Sequence, residues 1–164
     1  MSARHRKSKQ QSITNEHYQR QLRRTTFFLE RSLGGKTIFE ELRKAGLQVE
    51  PHKKWFRHNT PDEDWLFVVG EKKWIVLMRD LRIGLHLMEL NALLTARVKA
   101  FGLVSSELTD KRNAEIIIKA LPKIFDMIEA NDFPFIAKVQ KNSSVEIWKK
   151  DLMIHKGIQF KKRK

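Results

Sequence analysis

Residues 25–30 have the sequence TTFFLE, an apolar run that ends in a carboxylate and is typical of a buried strand. Residues 74–80, WIVLMRD, repeat this pattern, so Glu30 and Asp80 each close an apolar run. If both strands belong to one parallel sheet, the two acids emerge at the edge where open α/β sheets bind ligands. Oxygen ligands clustered there suit Mg²⁺ or Mn²⁺. Two interpretations stay open at this point: a metal-dependent phosphoryl-transfer site, or strands that end in charges because solvent begins there.

A helix is predicted to begin at Thr60, between these two strands. Thr60 is the expected N-cap, Pro61 occupies the first helical position, and Glu63 lies three residues after the cap. This spacing is that of a capping box, in which the two side chains satisfy backbone N–H groups of the first turn. We therefore expect a well-defined helix start at this point.

The periodicity of this helix selects between two neighbouring acids. Asp62 shares a face with the apolar residues that follow it at spacings of three, four and seven: Trp65, Leu66 and Val69. That face packs on the sheet, so Asp62 is expected to point toward the strand edges. Asp64 is about 200° further round the helix and should face elsewhere.

Strands and helices alternate over residues 25–130, which predicts an α/β fold, with a mostly parallel sheet covered on both faces. A weak helix is expected over 13–24. The other predicted helices are 37–45, 88–96 and 109–130, and the other predicted strands are 47–51, 98–104, 135–139 and 145–148.

The net charge of +14 is concentrated in the two ends of the chain. Residues 1–24 and 149–164 each carry a net +6, whereas residues 25–148 carry only +2. We interpret 1–24 as a basic, largely disordered N-terminal arm, 25–148 as the folded domain, and 149–164 as a basic C-terminal tail. Such arms suit RNA or DNA, although they are also compatible with solubilising tails or docking of an acidic partner.

Several classes of protein are excluded or disfavoured by composition. The absence of cysteine rules out disulfides, thiolate zinc sites and a cysteine nucleophile. No apolar run approaches the roughly 18 residues of a membrane helix, so no membrane association is expected. The N-terminus lacks the pattern of a secretory signal, and a cytoplasmic location is expected.

A basic and aromatic segment at residues 52–59, HKKWFRHN, is predicted to be a loop. Trp55 and Phe56 could stack the bases of single-stranded nucleic acid or pack as core aromatics, and the sequence does not decide between these roles. His52 and His58 are candidates to bind phosphate.

Three segments taken together resemble the PIN-like nucleases. They are FFLERSLG at 27–34, TPDEDWL at 60–66 and VLMRDLRI at 76–83, and they are most similar to the VapC-type toxins of bacterial toxin–antitoxin pairs. The resemblance extends over about 25–148 and leaves out both basic ends. It implies a three-layer α/β/α sandwich with a mostly parallel sheet. It also implies an Mg²⁺- or Mn²⁺-dependent endoribonuclease that cleaves RNA, with an antitoxin protein as partner and a homodimer as its assembly.

The resemblance assigns catalytic and metal-binding roles to the acids already selected by spacing. Glu30 takes the place of the first-strand acid, Asp62 that of the acid opening the intermediate helix, and Asp80 that of the acid after the third strand. Basic residues flanking them are candidates to bind RNA phosphates, or are solvated strand-end charges: Arg31, Lys36, Arg79 and Arg82.

Three departures from the family pattern bear on activity. The first acid is usually aspartate rather than Glu30, which places its carboxylate about 1.2–1.5 Å further out near a metal that demands near-ideal geometry. Arg82 stands where members often carry another acid. A polar ligand after the fourth strand would come from Ser105, Ser106 or Glu107. A single-metal site is thus favoured over a two-metal site; the alternative is a catalytically weakened RNA-binding or protein-interaction module.

Overall fold

The computed structural model describes residues 15–79, 87–104 and 109–150. Its strands are β1 (Thr26–Leu29), β2 (Gln48–Pro51), β3 (Ile75–Met78), β4 (Lys99–Leu103), β5 (Phe135–Val139) and β6 (Val145–Lys150). They form one six-stranded sheet in the order β2-β1-β3-β4-β5-β6. The β5–β6 pair is antiparallel and the other pairs are parallel, so the sheet is mostly parallel, as the sequence predicts.

Helices cover both faces of this sheet. They are α1 (residues 15–24), a 3-10 turn (Arg31–Leu33), α2 (Lys36–Lys44), α3 (His52–Trp55), α4 (Asp62–Glu71), α5 (Leu87–Thr95) and α6 (Asp110–Ala130). Buried residues of α1, α2 and α6 share one apolar cluster, and those of α4 and α5 share another. The predicted three-layer α/β/α fold is confirmed. Each helix in the described ranges is too short or too polar to cross a lipid bilayer.

The side chains of β1 alternate between these two clusters. Phe27 and Leu29 belong to the α1/α2/α6 side, and Phe28 belongs to the α4/α5 side. All three are fully buried. A strand covered on both faces needs apolar residues at every position, which is why residues 25–30 read as a continuous apolar run.

Helix α1 is packed against α6. Leu22 is buried, the rings of Tyr18 and Phe125 meet edge to face at 5.8 Å, and Gln21 Nε2 donates to Glu129 Oε1 at 2.6 Å. The packed part of the chain therefore includes 15–24, within the segment interpreted as an arm. The division into arm, domain and tail stays a prediction.

Two local predictions between β2 and β3 are wrong. The Thr60 capping box does not form: Pro61, in an extended conformation, is the N-cap, and α4 begins at Asp62. The Thr60 N–H is instead used in a turn with the carbonyl of Arg57 at 3.0 Å, so the chain enters the helix one residue later. The segment 52–59 also begins with the four-residue helix α3 rather than being loop throughout.

Candidate active site at the carboxyl edge of the sheet

The strand order creates a crevice at the carboxyl ends of β1 and β3. Leu29 pairs with Pro51 on one side and with Leu77 on the other, so three parallel strands end together. After β1 the chain turns to α2 on one face, whereas α4, which precedes β3, covers the opposite face. Such a switch point is the usual ligand site of an open α/β sheet.

Glu30 lies at this switch point and its carboxylate is held in place. Its backbone N–H donates to the carbonyl of Leu77 at 3.0 Å, and it caps the 3-10 turn. Its Oε2 accepts from the backbone N–H of Ser32 at 2.9 Å and from the Ser32 hydroxyl at 2.5 Å. The Ser32 Oγ in turn accepts from the Arg79 N–H at 2.8 Å. Ser32 thus links the ends of β1 and β3, a role that the sequence motif did not reveal.

Asp62 is brought to the same edge by α4 and is held by two neighbours. Its Oδ1 accepts from the Trp65 indole N–H at 2.8 Å and lies 3.6 Å from Nη2 of Arg31. Nη1 of Arg31 donates to the carbonyl of His58. Because Arg31 directly follows Glu30, its guanidinium connects the end of β1 with the start of α4.

The predicted phase of α4 is confirmed. Trp65, Leu66 and Val69 are buried, Asp62 is half-buried, and Asp64 is exposed. The helix therefore presents Asp62 rather than Asp64 to the edge of the sheet.

The remaining predicted site residues are less constrained. Lys36 is the first residue of α2, and its side chain is 84% exposed beside Glu40. Arg79 follows β3 and contributes its backbone N–H to Ser32. Asp80 and Arg82 lie outside the described residues, as do Ser105, Ser106 and Glu107.

The donor types at this edge fit a hard divalent cation. Among the described residues, neither Oε1 of Glu30 nor Oδ2 of Asp62 accepts a hydrogen bond, so each carboxylate keeps one oxygen for a ligand. Oxygen donors of this kind suit Mg²⁺ or Mn²⁺. Within the described ranges, no three His, Asp or Glu residues are grouped closely enough to hold a metal. Asp80, which follows Arg79 in the chain, is the predicted third ligand.

The structure adds an acid that sequence reasoning missed. Asp110, the first residue of α6, lies against Gly35, where a Cβ atom would collide with its carboxylate. Gly35 also lines a cavity of about 280 Å³ between the ends of β1 and β2, with Lys36 and Lys53 among its walls. No local pattern links residues 35 and 110, because only the tertiary fold brings them together.

His52 is not available to bind phosphate. It is 2% exposed and packs among the rings of Phe28, Phe56 and Trp65. Its Nε2 has no hydrogen-bond partner among the described residues. Burial lowers the pKa of His52 below its ordinary value, and Arg31 acts in the same direction. The side chain is therefore neutral near pH 7 and serves as part of the wall behind Asp62.

A larger cavity than the one beside Gly35 lies at the opposite edge of the sheet. It has a volume of about 990 Å³ and is lined by residues at the starts of β3 and β4 and the ends of α4 and α5, including Ile75, Lys99, Glu71 and Thr95. Glu30 and Asp62 are not among its walls. Cavity size thus does not identify the carboxylate edge, which is recognised by its chemistry and its place in the topology.

Comparison with known proteins agrees with the topology. A family model described as "PIN like domain" matches residues 25–105, which is just under half of the chain. The fold is PIN-like. The match runs from β1 past the end of β4 and so includes Glu30, Asp62 and the switch point between β1 and β3. It supports a nuclease-type function. No curated protein and no solved structure matches the chain.

Proposed function

We propose that this chain is a metal-dependent endoribonuclease and the toxin component of a toxin–antitoxin pair, acting in the cytoplasm. The observation that carries the proposal is the delivery of Glu30 and Asp62 to one edge, with Arg31, the residue after Glu30, 3.6 Å from Asp62. The match to the PIN-like family model supports the nuclease class. The antitoxin partner, a homodimeric assembly and the VapC-type branch are part of the proposal through sequence resemblance.

Glu30, Asp62 and Asp80 would hold a Mg²⁺ or Mn²⁺ ion. When bound, such an ion lowers the pKa of a coordinated water and neutralises charge on the phosphodiester. The protein's own contribution is orientation. Ser32 fixes one oxygen of Glu30, and Trp65 fixes one oxygen of Asp62, so the opposite oxygens are presented in defined positions.

Arg31 is proposed to exchange partners when RNA binds. Its 3.6 Å contact with Asp62 is longer than a charge-assisted hydrogen bond, and its side chain is 33% exposed. The guanidinium can therefore turn toward a phosphate oxygen of the substrate. Additional phosphate contacts are assigned to Lys36, Arg79 and Arg82.

The second candidate is a catalytically weakened RNA-binding or protein-interaction module. Two observations favour it. Glu30 stands where the family usually has aspartate, and one oxygen of each acid is already hydrogen-bonded, Glu30 by Ser32 and Asp62 by Trp65. In this case the protein would bind RNA or a partner without efficient cleavage.

A nuclease assay distinguishes the two candidates. Structured and unstructured RNA would be incubated with the full chain in Mn²⁺, Mg²⁺ or EDTA, and Mn²⁺ binding would be measured separately by calorimetry. We expect cleavage that EDTA abolishes, and we expect Glu30→Gln to lose both cleavage and Mn²⁺ binding. Glu71→Gln, an exposed acid at the opposite end of α4 from Asp62, is the matched control. Mn²⁺ binding without cleavage by the wild type would favour the weakened module.

A further inference from the structure

Trp55 is a large aromatic side chain held at the surface of the protein. It is 41% exposed, whereas its neighbour Phe56 turns inward and meets Phe28 at 5.9 Å and His52 at 5.4 Å. Helix α3 thus directs one aromatic ring into the α4/α5 cluster and leaves the next one outside. Of the two roles that the sequence leaves open, Phe56 has the core role and Trp55 does not.

The exposed indole is nevertheless fixed in orientation. Its Nε1 donates to Oε2 of Glu50 at 2.9 Å, and its ring meets that of Trp74 edge to face at 5.1 Å. Burial alone would raise the pKa of Glu50, but hydrogen bonds from Trp55 and Lys54 bring it below its ordinary value. The acceptor is therefore ionised at neutral pH. A ring held in this way loses little conformational freedom when a ligand binds.

Cations surround this ring. Nζ of Lys72 lies 4.8 Å from the Trp55 ring centroid, and Nζ of Lys54 lies 5.8 Å from it. Lys53 and Arg57 are exposed on the same segment. An aromatic platform among cations is the combination that proteins use for single-stranded nucleic acid, because bases stack on the ring while ammonium groups bind phosphates.

The platform lies about one helix length from the carboxylate edge. Lys72, whose Nζ is over the Trp55 ring, is the C-cap of α4, whereas Asp62 is the first of the ten residues of this helix. A helix of that length spans about 15 Å. Stacked nucleotides rise about 3.4 Å each, so four or five of them span this distance.

We propose that Trp55 stacks one unpaired base of a single-stranded RNA whose scissile phosphate lies at the edge formed by Glu30 and Asp62. The inference rests on the proposed function and adds a substrate class to it. Lys54 and Lys72 bind the phosphates flanking the stacked base, and Lys72 leaves the ring as the base arrives. Since every base has a π face, this subsite selects unpaired RNA over duplex RNA with little preference for sequence.

The test separates base stacking from charge. A short, uncleavable 2′-O-methyl oligouridylate would be titrated with the full chain in EDTA, alongside the same oligonucleotide with abasic sugars. The variants are Trp55→Ala and Trp55→Phe. Trp148→Ala is the matched control, because Trp148 also has two lysines near its ring, Lys138 at 4.6 Å and Lys149 at 5.2 Å, but lies on β6 at the far edge of the sheet.

We expect Trp55→Ala to weaken binding of the base-bearing oligonucleotide by about 5- to 100-fold and to leave abasic binding unchanged. Trp55→Phe should retain most of the affinity, and Trp148→Ala should behave as wild type. If Trp55→Ala lost affinity equally for both oligonucleotides, or lost it for neither, the stacking role would be overturned. Unchanged affinity for both would indicate that Trp55 contacts a protein partner instead. Because binding is measured without metal, a wild type that fails to cleave RNA counts against the nuclease proposal alone.

Discussion

The hydroxyl oxygen of Ser32 lies 2.8 Å from the backbone nitrogen of Arg79, 47 residues later in the chain, and this contact joins the ends of β1 and β3. The same hydroxyl donates to Glu30. We expect Ser32→Ala to lower the free energy of unfolding by about 1–2 kcal/mol, since it leaves a half-buried N–H without this acceptor. Urea denaturation measures the loss. Ser32→Thr keeps the hydroxyl and should lose less; equal midpoints for the two variants would contradict the linking role.

Asp62→Asn and Asp64→Asn form a matched pair on one helix. We expect Asp62→Asn to reduce metal-dependent RNA cleavage by at least about a hundredfold, because a neutral amide is a poor cation ligand. Its effect on stability should be within about 1 kcal/mol, since the pair with Arg31 is partly solvated. Asp64→Asn should cleave nearly as wild type because Asp64 is exposed. Similar losses in both variants would show that the cleavage site does not depend on the face of α4.

Glycine substitutions test the position of Asp110. In Gly35→Ala the new methyl group meets the side-chain carboxylate of Asp110, which can rotate away. We therefore expect little change in thermal stability but weaker Mn²⁺ binding if Asp110 supports the site. Gly70→Ala is the contrasting variant: its methyl group meets the backbone carbonyl of Ala96, which cannot rotate away. It should unfold at a clearly lower temperature. Unchanged Mn²⁺ binding in Gly35→Ala would show that Asp110 does not contribute to the metal site.

His52 should make stability depend on pH. Its pKa is lowered in the folded protein by burial and by Arg31, relative to an ordinary value of 6.5. As pH falls below about 6.5, the unfolded chain binds a proton that the folded chain does not bind, so stability decreases until the folded pKa is reached. His52→Phe should show a smaller decrease in this window, measured by urea denaturation at several pH values. His17→Gln, which changes an exposed histidine on α1, is the control and should retain the decrease.

Removing residues 1–14 and 151–164 tests the role of the basic ends without touching α1 or β6. These segments contain nine of the 33 basic residues. If they contact RNA phosphates, the affinity of the truncated protein should fall, and its dependence on salt should be shallower by about 0.7 in logarithmic slope for each lost contact. The truncated chain should unfold cooperatively, since Leu22 and the β5–β6 pair are retained. If the full-length and truncated proteins bound RNA with similar affinity and the same dependence on salt, the ends would instead serve a protein partner or solubility.

The sequence predicts the fold well because its elements are periodic and buried. The apolar runs of β1 and β3 and the spacing of Trp65, Leu66 and Val69 in α4 report local structure directly, and they distinguish Asp62 from Asp64. The capping prediction fails because the Thr60 N–H is used in a turn. Local patterns carry no information about such competing contacts.

The candidate site is less predictable because its supporting contacts are long-range. Ser32 reaches Arg79, and Gly35 reaches Asp110, across segments that share no sequence period. Trp55 and Phe56 are adjacent and chemically similar, yet one is a surface ring and the other packs inside. Only the direction in which α3 leaves the sheet separates their roles.

The place of β1 in the sheet also determines when the carboxylate edge forms during protein synthesis. β1 is translated before β2, yet its other neighbour is β3, and Phe28 pairs with Val76. A nascent chain that has exposed only residues 15–60 carries Glu30 without Asp62, and without the strand that completes its surroundings. Domains generally fold as units once their whole sequence has left the ribosome. Translation that stops before β3 therefore yields a product with an incomplete edge, so premature release would not produce a competent site.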